Sequence, residues 1–146
     1  MSGLLRLAIT DEETLRHVGD YLHDGMFDPS EVAYDPDTST FTLVNWRETS
    51  FHQQLWIFRV SDAWARCRLT LRQVERADIV VRDRGVWPIL MELGYRPLSR
   101  TLDLYLAMAM EISLQVAALD GELEDTGEIR SGRTPRLDTR SDSQEP

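Results

Sequence analysis

Leu102 to Ala118 reads L-D-L-Y-L-A-M-A-M-E-I-S-L-Q-V-A-A, and the way its apolar residues repeat decides the fold class. Leu102, Leu104, Leu106, Met108, Met110, Ile112, Leu114, Val116 and Ala118 hold one parity, while Asp103, Glu111, Ser113 and Gln115 hold the other. That is the two-residue repeat of a half-buried strand. Helix is the competing reading, since Ala, Met, Leu, Glu and Gln favour it and Ile112, Gln115, Val116 and Leu119 fit a helical repeat. A helix would scatter the four polar residues around its circumference, so their shared parity favours strand. One strand of that length would far exceed the usual ~5 to 6 residues, which predicts a reversal within Ala107 to Met110. A three-residue loop over Ala107, Met108 and Ala109 sets Leu106 opposite Met110 and keeps the apolar face intact, whereas a two-residue loop flips it.

Outward from this hairpin, toward the N-terminus, Leu4, Leu5, Leu7 and Ile9 suggest a first strand. Thr10-Asp11-Glu12-Glu13 then opens a helix as a capping box with Thr10 at the cap. The helix is expected to run to about His23 or Asp24, burying Leu15, Val18, Gly19 and Leu22, with Gly25 as its stop. Glu31 to Asp35 and Thr40 to Arg47 read as short strands around the turn formers Asp35-Pro36-Asp37-Thr38. Leu55 to Val60 reads as a buried or nearly buried strand that ends at Ser61-Asp62-Ala63-Trp64. Arg66 to Arg76 reads as a strand with Cys67, Leu69 and Leu71 on one face and Arg66, Arg68, Thr70 and Arg72 on the other. Val86 to Leu93, bearing Pro88, is expected at an edge or in a loop, and Gly94 to Arg100 as a turn.

These elements predict an α+β fold: one N-terminal helix packed on a curved, mainly antiparallel sheet of six to eight strands. Residues 1–126 form the expected single domain. From Asp120 onward the composition turns to acids, Gly, Ser, Thr, Arg and Pro, so residues 127–146 are expected to be a disordered C-terminal tail.

The formal net charge of -9 argues against nucleic acid, which is held by clustered cations. All 16 basic residues are arginine. Cys67 is the only cysteine, which excludes an internal disulfide and any cysteine-based metal framework and suits a cytoplasmic protein. Leu4 to Ile9 is too short for a signal peptide, and no apolar run approaches the ~18 residues of a membrane helix. No membrane role is expected.

Side chains that carry chemistry are sparse. His17, His23 and His52 invite a metal reading with Asp20, Asp24 or Asp28, but His17 and His23 do not share a helix face, and solvated histidines are the better reading. No metal and no cofactor are expected. Arg66, Arg68 and Arg72 stand ~6 to 7 Å apart along one strand face, able to hold a carboxylate or phosphate, with His52 or an acid as base. The competing reading is a solvated face neutralised by acids on neighbouring strands. Cys67, on the apolar parity, is expected to be an inert core thiol. Trp46 and Trp56 read as core. Trp64 and Trp87, near breaks in the pattern, are candidates for an interface. Arg130, Arg133, Arg136 and Arg140 give a third option, a tail that docks on a partner.

L-R-L-A-I-T-D-E-E-T-L (Leu5 to Leu15), Y-L-H-D-G (Tyr21 to Gly25), F-T-L-V-N-W-R-E (Phe41 to Glu48), R-C-R-L-T-L-R-Q-V (Arg66 to Val74) and the segment from Ile112 to Gly127 appear in that order. Together they resemble a family of small uncharacterised bacterial proteins found largely in alphaproteobacteria. The chain departs from that pattern in having His23 and Gly25 around Asp24 and Trp46 after Asn45. The resemblance implies a compact domain over about residues 4–127 and brings no activity and no catalytic residue. The expectation is a non-catalytic protein-binding or scaffolding module, as a homodimer or with another protein partner, using a sheet edge or an exposed Trp-containing surface. The alternative is an enzyme or binding protein for a small anionic ligand on the arginine row.

Overall fold

The computed structural model describes residues 4–55 and 57–136. Strand β1 (Arg6–Ile9) leads into helix α1 (Glu12–Leu22), followed by the two-residue strand β2 (Gly25–Met26) and a 3-10 turn at Pro29–Glu31. Then come β3 (Val32–Asp35), β4 (Thr40–Gln54), β5 (Phe58–Leu71), β6 (Val74–Val81) and β7 (Ile89–Arg96). The chain continues through β8 (Thr101–Ala107), β9 (Met110–Val116) and β10 (Gly121–Ser131). All strands join one ten-stranded sheet in the order β1-β10-β5-β4-β2-β7-β8-β9-β6, with β3 added on β4. Every pairing is antiparallel.

This corrects the expected α+β class with six to eight strands. Strand makes up 61% of the residues and helix 11%, so the class is mainly β. Three misread stretches explain the difference. Ser61 to Trp64 does not break a strand: it lies inside the 14-residue β5. Arg66 to Arg76 is not one strand, because Gln73 at φ 56° reverses the chain between β5 and β6. Gly121 to Ser131 is a full strand, pairing with Leu71 through Ala63 of β5. Its polar composition hid it, since strand pairing is made by backbone groups and needs apolar side chains only on a buried face. The expected boundary at Gly127 falls inside β10, and residues 137–146 lie outside the described residues.

The Leu102–Ala118 stretch does form a hairpin. Leu102 faces Leu114 and Leu104 faces Ile112, the register in which Leu106 would meet Met110. The reversal uses Met108 and Ala109 in left-handed conformations, φ 71° and 64°.

Side chains from both ends of the sheet meet in one buried cluster, including Ile9, Leu69 and Leu123 from one half and Leu102, Leu114 and Val116 from the other. The sheet therefore folds back on itself. Edge strand β6 returns to the start of β4, where the Val74 amide donates to Ser39 O at 2.9 Å and Tyr34 Oη donates to Val74 O at 2.7 Å. Helix α1 fills the fold with Leu15, Val18 and Leu22. Its cap is Asp11, one residue later than expected: Asp11 Oδ1 accepts from the Thr14 amide at 2.8 Å and Thr14 Oγ1 from the Asp11 amide at 3.0 Å. Thr10 follows β1 directly, which leaves Asp11 as the first residue free to turn its side chain over the helix end.

A smaller apolar layer lies on the opposite face of β4 and β5. Trp46 and Trp64, 1% and 3% exposed, are covered by the end of β10 and the segment that follows it. Trp64 Nε1 donates to Gly132 O at 3.1 Å, and the Arg130 guanidinium stacks on Trp46 at 4.2 Å while donating to Pro135 O at 2.7 Å. Arg136 reaches the other half of the sheet by donating to Gly85 O at 2.7 Å.

Candidate functional site

Strands β4 and β5 pair from Phe41↔Leu71 to Gln54↔Phe58, longer than any other pair, and their distal third leaves the body. Pairing of β5 with β10 ends at Ala63, and β2 touches β4 only at Trp46. Beyond these points Phe51–Gln54 and Phe58–Ser61 pair with each other alone. The register is irregular around Ser50, where a bulge bends a ribbon away from its sheet. Five residues beyond that bulge carry the arm roughly 15–20 Å outward.

The arm's tip is apolar. Leu55 is 77% exposed, Ile57 81% and Phe58 58%, and Phe51, nearer the base, is 50% exposed. This corrects the reading of Leu55 to Val60 as a buried strand: apolar residues on both parities fit a strand enclosed on two faces, but here they mark a ribbon open on both. Trp56 lies outside the described residues. Around the base, Arg59 stacks on Phe51 at 3.9 Å and pairs with Glu48, which also accepts from Ser61 Oγ. His52 Nδ1 lies 2.6 Å from Asp62 Oδ1. The charges at the base are thereby matched, and the tip carries none.

The arginine row sits on the outer face of β5, away from the arm. Arg66 pairs with Glu31 at 2.7 Å and reaches Glu128 at 3.9 Å. Arg72 meets Asp120 at 3.4 Å and Glu122 at 3.1 Å. These acids hold the Arg72 guanidinium above its ordinary value, the hydrogen bond that it donates to Glu122 being the largest cause. Arg68 is exposed and lies across from Glu124. Each of the three thus faces a carboxylate-bearing neighbour. His52 is on the arm with Asp62, so the structure does not bring it to the arginines. Trp64 is buried under Gly132, and a partner touching it would have to displace residues 132–136. Trp87 is half-buried, with Arg136 over its ring at 5.9 Å.

A polar cleft opens between the end of α1 and the base of the arm, lined by Asp20, Tyr21, His23, Asp24, Arg47 and Arg59 among others. His23 Nδ1 donates to Met91 O at 2.7 Å and Nε2 lies 3.5 Å from Asp24. Arg47 forms a two-pronged pair with Asp125, Nε to Oδ1 at 3.1 Å and Nη2 to Oδ2 at 2.7 Å. That pair raises the Arg47 guanidinium above its ordinary value, against the opposing effect of its own burial. The bridge spans β5 where Ala65 and Cys67 leave room for it. Burial pushes the Cys67 thiol up to about 12, with Asp125 adding to the shift, so it is not a nucleophile in the folded chain. Asn45, beside Cys67, is fully buried, and its side-chain amide has no protein partner. Among the described residues no three His, Cys, Asp or Glu side chains converge as metal ligands, and no helix is long and apolar enough to cross a membrane.

The arm tip is what sequence reading missed. The signal was present in Gln53-Gln54 directly before Leu55, because two amides on both parities of a paired segment do not belong in a buried strand.

Residues 5–137 match the model of a protein family described as of unknown function, DUF2948. No curated protein matches the chain, and no solved structure does.

Proposed function

The chain belongs to the DUF2948 family of proteins of unknown function, and we propose that it is a non-catalytic binding module whose working element is the β4–β5 arm. The observation that carries this reading is the uncharged apolar tip of Leu55, Ile57 and Phe58 held on a ribbon outside the core. A two-stranded ribbon is marginal in water by itself, and grouped large apolar side chains in water mark an interaction surface. The flanks of the arm also offer unpaired backbone groups, which another strand can satisfy. Nothing comparable supports the anionic-ligand alternative, since the arginine row is matched by Glu31, Asp120 and Glu122 and stands apart from His52.

The test is photo-crosslinking in the cell, with a benzoylphenylalanine residue at position 57 and, as a control on the other half of the sheet, at the exposed Tyr105 position. Discrete polypeptide adducts at position 57 and none at position 105 are expected. No adduct at position 57, or the same adducts at both, overturns the reading.

A further inference from the structure

We infer that the tryptophan-bearing face of the sheet is a peptide-binding groove for a short basic segment of another protein carrying Pro-Arg, and that Gly132–Arg136 of this chain occupies it in cis. The groove is a second surface, and its role does not depend on the arm's.

Gly132–Arg136 reads G-R-T-P-R and leaves β10 after its last ladder position, Ser131↔Ala63. From there it runs across neighbouring strands, which stand in the order β5-β4-β2-β7. The Gly132 carbonyl accepts from Trp64 Nε1 of β5. The Pro135 carbonyl accepts from Arg130, whose guanidinium lies over Trp46 of β4. Thr134 Oγ1 donates to Met26 Sδ of β2 at 3.4 Å, and Arg136 stands over Trp87, just before β7, while donating to Gly85 O. Three of the four tryptophans thus line one track.

The resident segment is held as a ligand is held. A cover made only for folding would turn apolar side chains onto the tryptophans, yet Pro135 is the one buried residue of the five and the other four are exposed. The face reads two main-chain carbonyls, one proline ring and one guanidinium. An indole N–H donating to a carbonyl beside an aromatic wall for proline is the chemistry by which short proline-containing segments are recognised. Charge narrows the partner further. The segment has two arginines and no acid on a chain of formal charge -9, so a basic segment is drawn to the groove and an acidic one is repelled.

The segment is also loosely anchored. Among the described residues its main-chain bond to the sheet is the Gly132 amide donating to Asp62 O at 2.8 Å. Gly132 itself sits at φ 128°, a conformation open to glycine that lets the chain turn off the strand. Few main-chain bonds and exposed backbone put a segment at the low end of local opening energies. A tethered occupant still competes at an effective concentration of about 1 mM, so a partner segment enters by displacing it.

The test is fluorescence anisotropy of a dye-labelled peptide, Ser-Gly-Arg-Thr-Pro-Arg, copied from residues 131–136, titrated with full-length protein from about 1 µM to 1 mM. Pro135→Gly/Arg136→Ser weakens the resident segment and leaves the groove's own side chains in place. This variant is expected to bind the peptide about 10-fold or more tightly than wild type, since its competitor is weakened. A peptide with alanine for its proline is expected to bind the same variant about 10-fold more weakly, through loss of one buried ring, and a peptide with glutamate for both arginines is expected not to bind. Trp64→Phe added to that variant keeps the aromatic wall and removes the donor, and is expected to weaken binding by about 5-fold. No binding to the loosened variant, binding no tighter than to wild type, or binding indifferent to the peptide's proline and charge overturns the inference.

Discussion

Replacing Asp125 by Asn should cost about 3 kcal/mol of stability, because it leaves the Arg47 guanidinium without its counter-charge inside the sheet. The Arg47 and Asp125 side chains are only 18% and 9% exposed, and both prongs of the pair are well formed, at 3.1 and 2.7 Å. Asp125 Oδ2 also accepts from the Leu5 amide at 3.2 Å, tying in β1. Removing one member of a buried pair costs roughly 3–5 kcal/mol. The lower end applies because Arg47 lines the cleft and keeps some contact with water, and because asparagine preserves the shape and one acceptor. In a chain of this size the loss corresponds to a fall in Tm of about 6–12 °C, or about 1.5 M in the urea midpoint for a slope of ~2 kcal/mol/M. The partner variant Arg47→Met/Asp125→Leu removes both charges and should lie within about 2 kcal/mol of wild type or above it. Urea unfolding followed by circular dichroism measures all three proteins. A loss below about 1 kcal/mol for Asp125→Asn, or a double variant no better than the single one, would refute the argument that this pair is buried and mutually dependent.

Other outcomes follow from single features. Ala109→Gly should stabilise the chain by about 0.5–1 kcal/mol, since alanine at φ 64° bears a left-handed cost that glycine avoids, less glycine's extra freedom when unfolded; a loss of similar size in thermal unfolding would contradict it. Gly121→Ala should be strongly destabilising, because a Cβ there would overlap Thr70 O and approach Leu71 Cα to 3.2 Å; an unchanged Tm would show that β10 and β5 are less closely apposed. The Cys67 thiol, raised from 9.0 to about 12 in the fold, keeps its proton where the unfolded thiol has lost it. Its contribution to stability is therefore complete below pH 9 and is lost as pH rises toward 12; Cys67→Ala should flatten that alkaline decline, and labelling by a thiol reagent at pH 8 should proceed only as fast as the protein opens. Ending the chain after Ser131 removes the Gly132 carbonyl from Trp64 and the Pro135 carbonyl that holds Arg130 over Trp46 and should shift tryptophan emission to longer wavelength, an effect that an unchanged spectrum would exclude.

The core was legible because burial on one face imposes a period. Leu102, Leu104, Met110, Ile112, Leu114 and Val116 announce themselves by parity and are all buried, and the α1 stripe of Leu15, Val18 and Leu22 does so by helical spacing. Two stretches defeated the same logic. Leu55 to Phe58 is apolar without a period, a pattern shared by a strand buried on both faces and an arm exposed on both, and single-chain reading defaults to the commoner one. Glu128 to Ser131 shows the reverse, with mostly polar side chains on a strand whose pairing with Ala63 to Ala65 is made by the backbone. The arginine row was read at the right strand face, but its partners Glu31, Asp120 and Glu122 come from distant segments, and only the sheet order shows that they are neighbours.

The central claim is that the arm serves binding and not folding, and shortening it tests that most directly. Residues 52–60 replaced by Asn-Gly would join Phe51 to Ser61, which already face each other, through the two-residue turn that suits a hairpin. Differential scanning calorimetry on this variant, read beside its co-purification with the partner that wild type crosslinks through position 57, should give a Tm within a few degrees of wild type, as surface changes of about 0.5 kcal/mol allow, together with loss of that association. A body that unfolds when the arm is shortened, or an association that survives, would contradict the account.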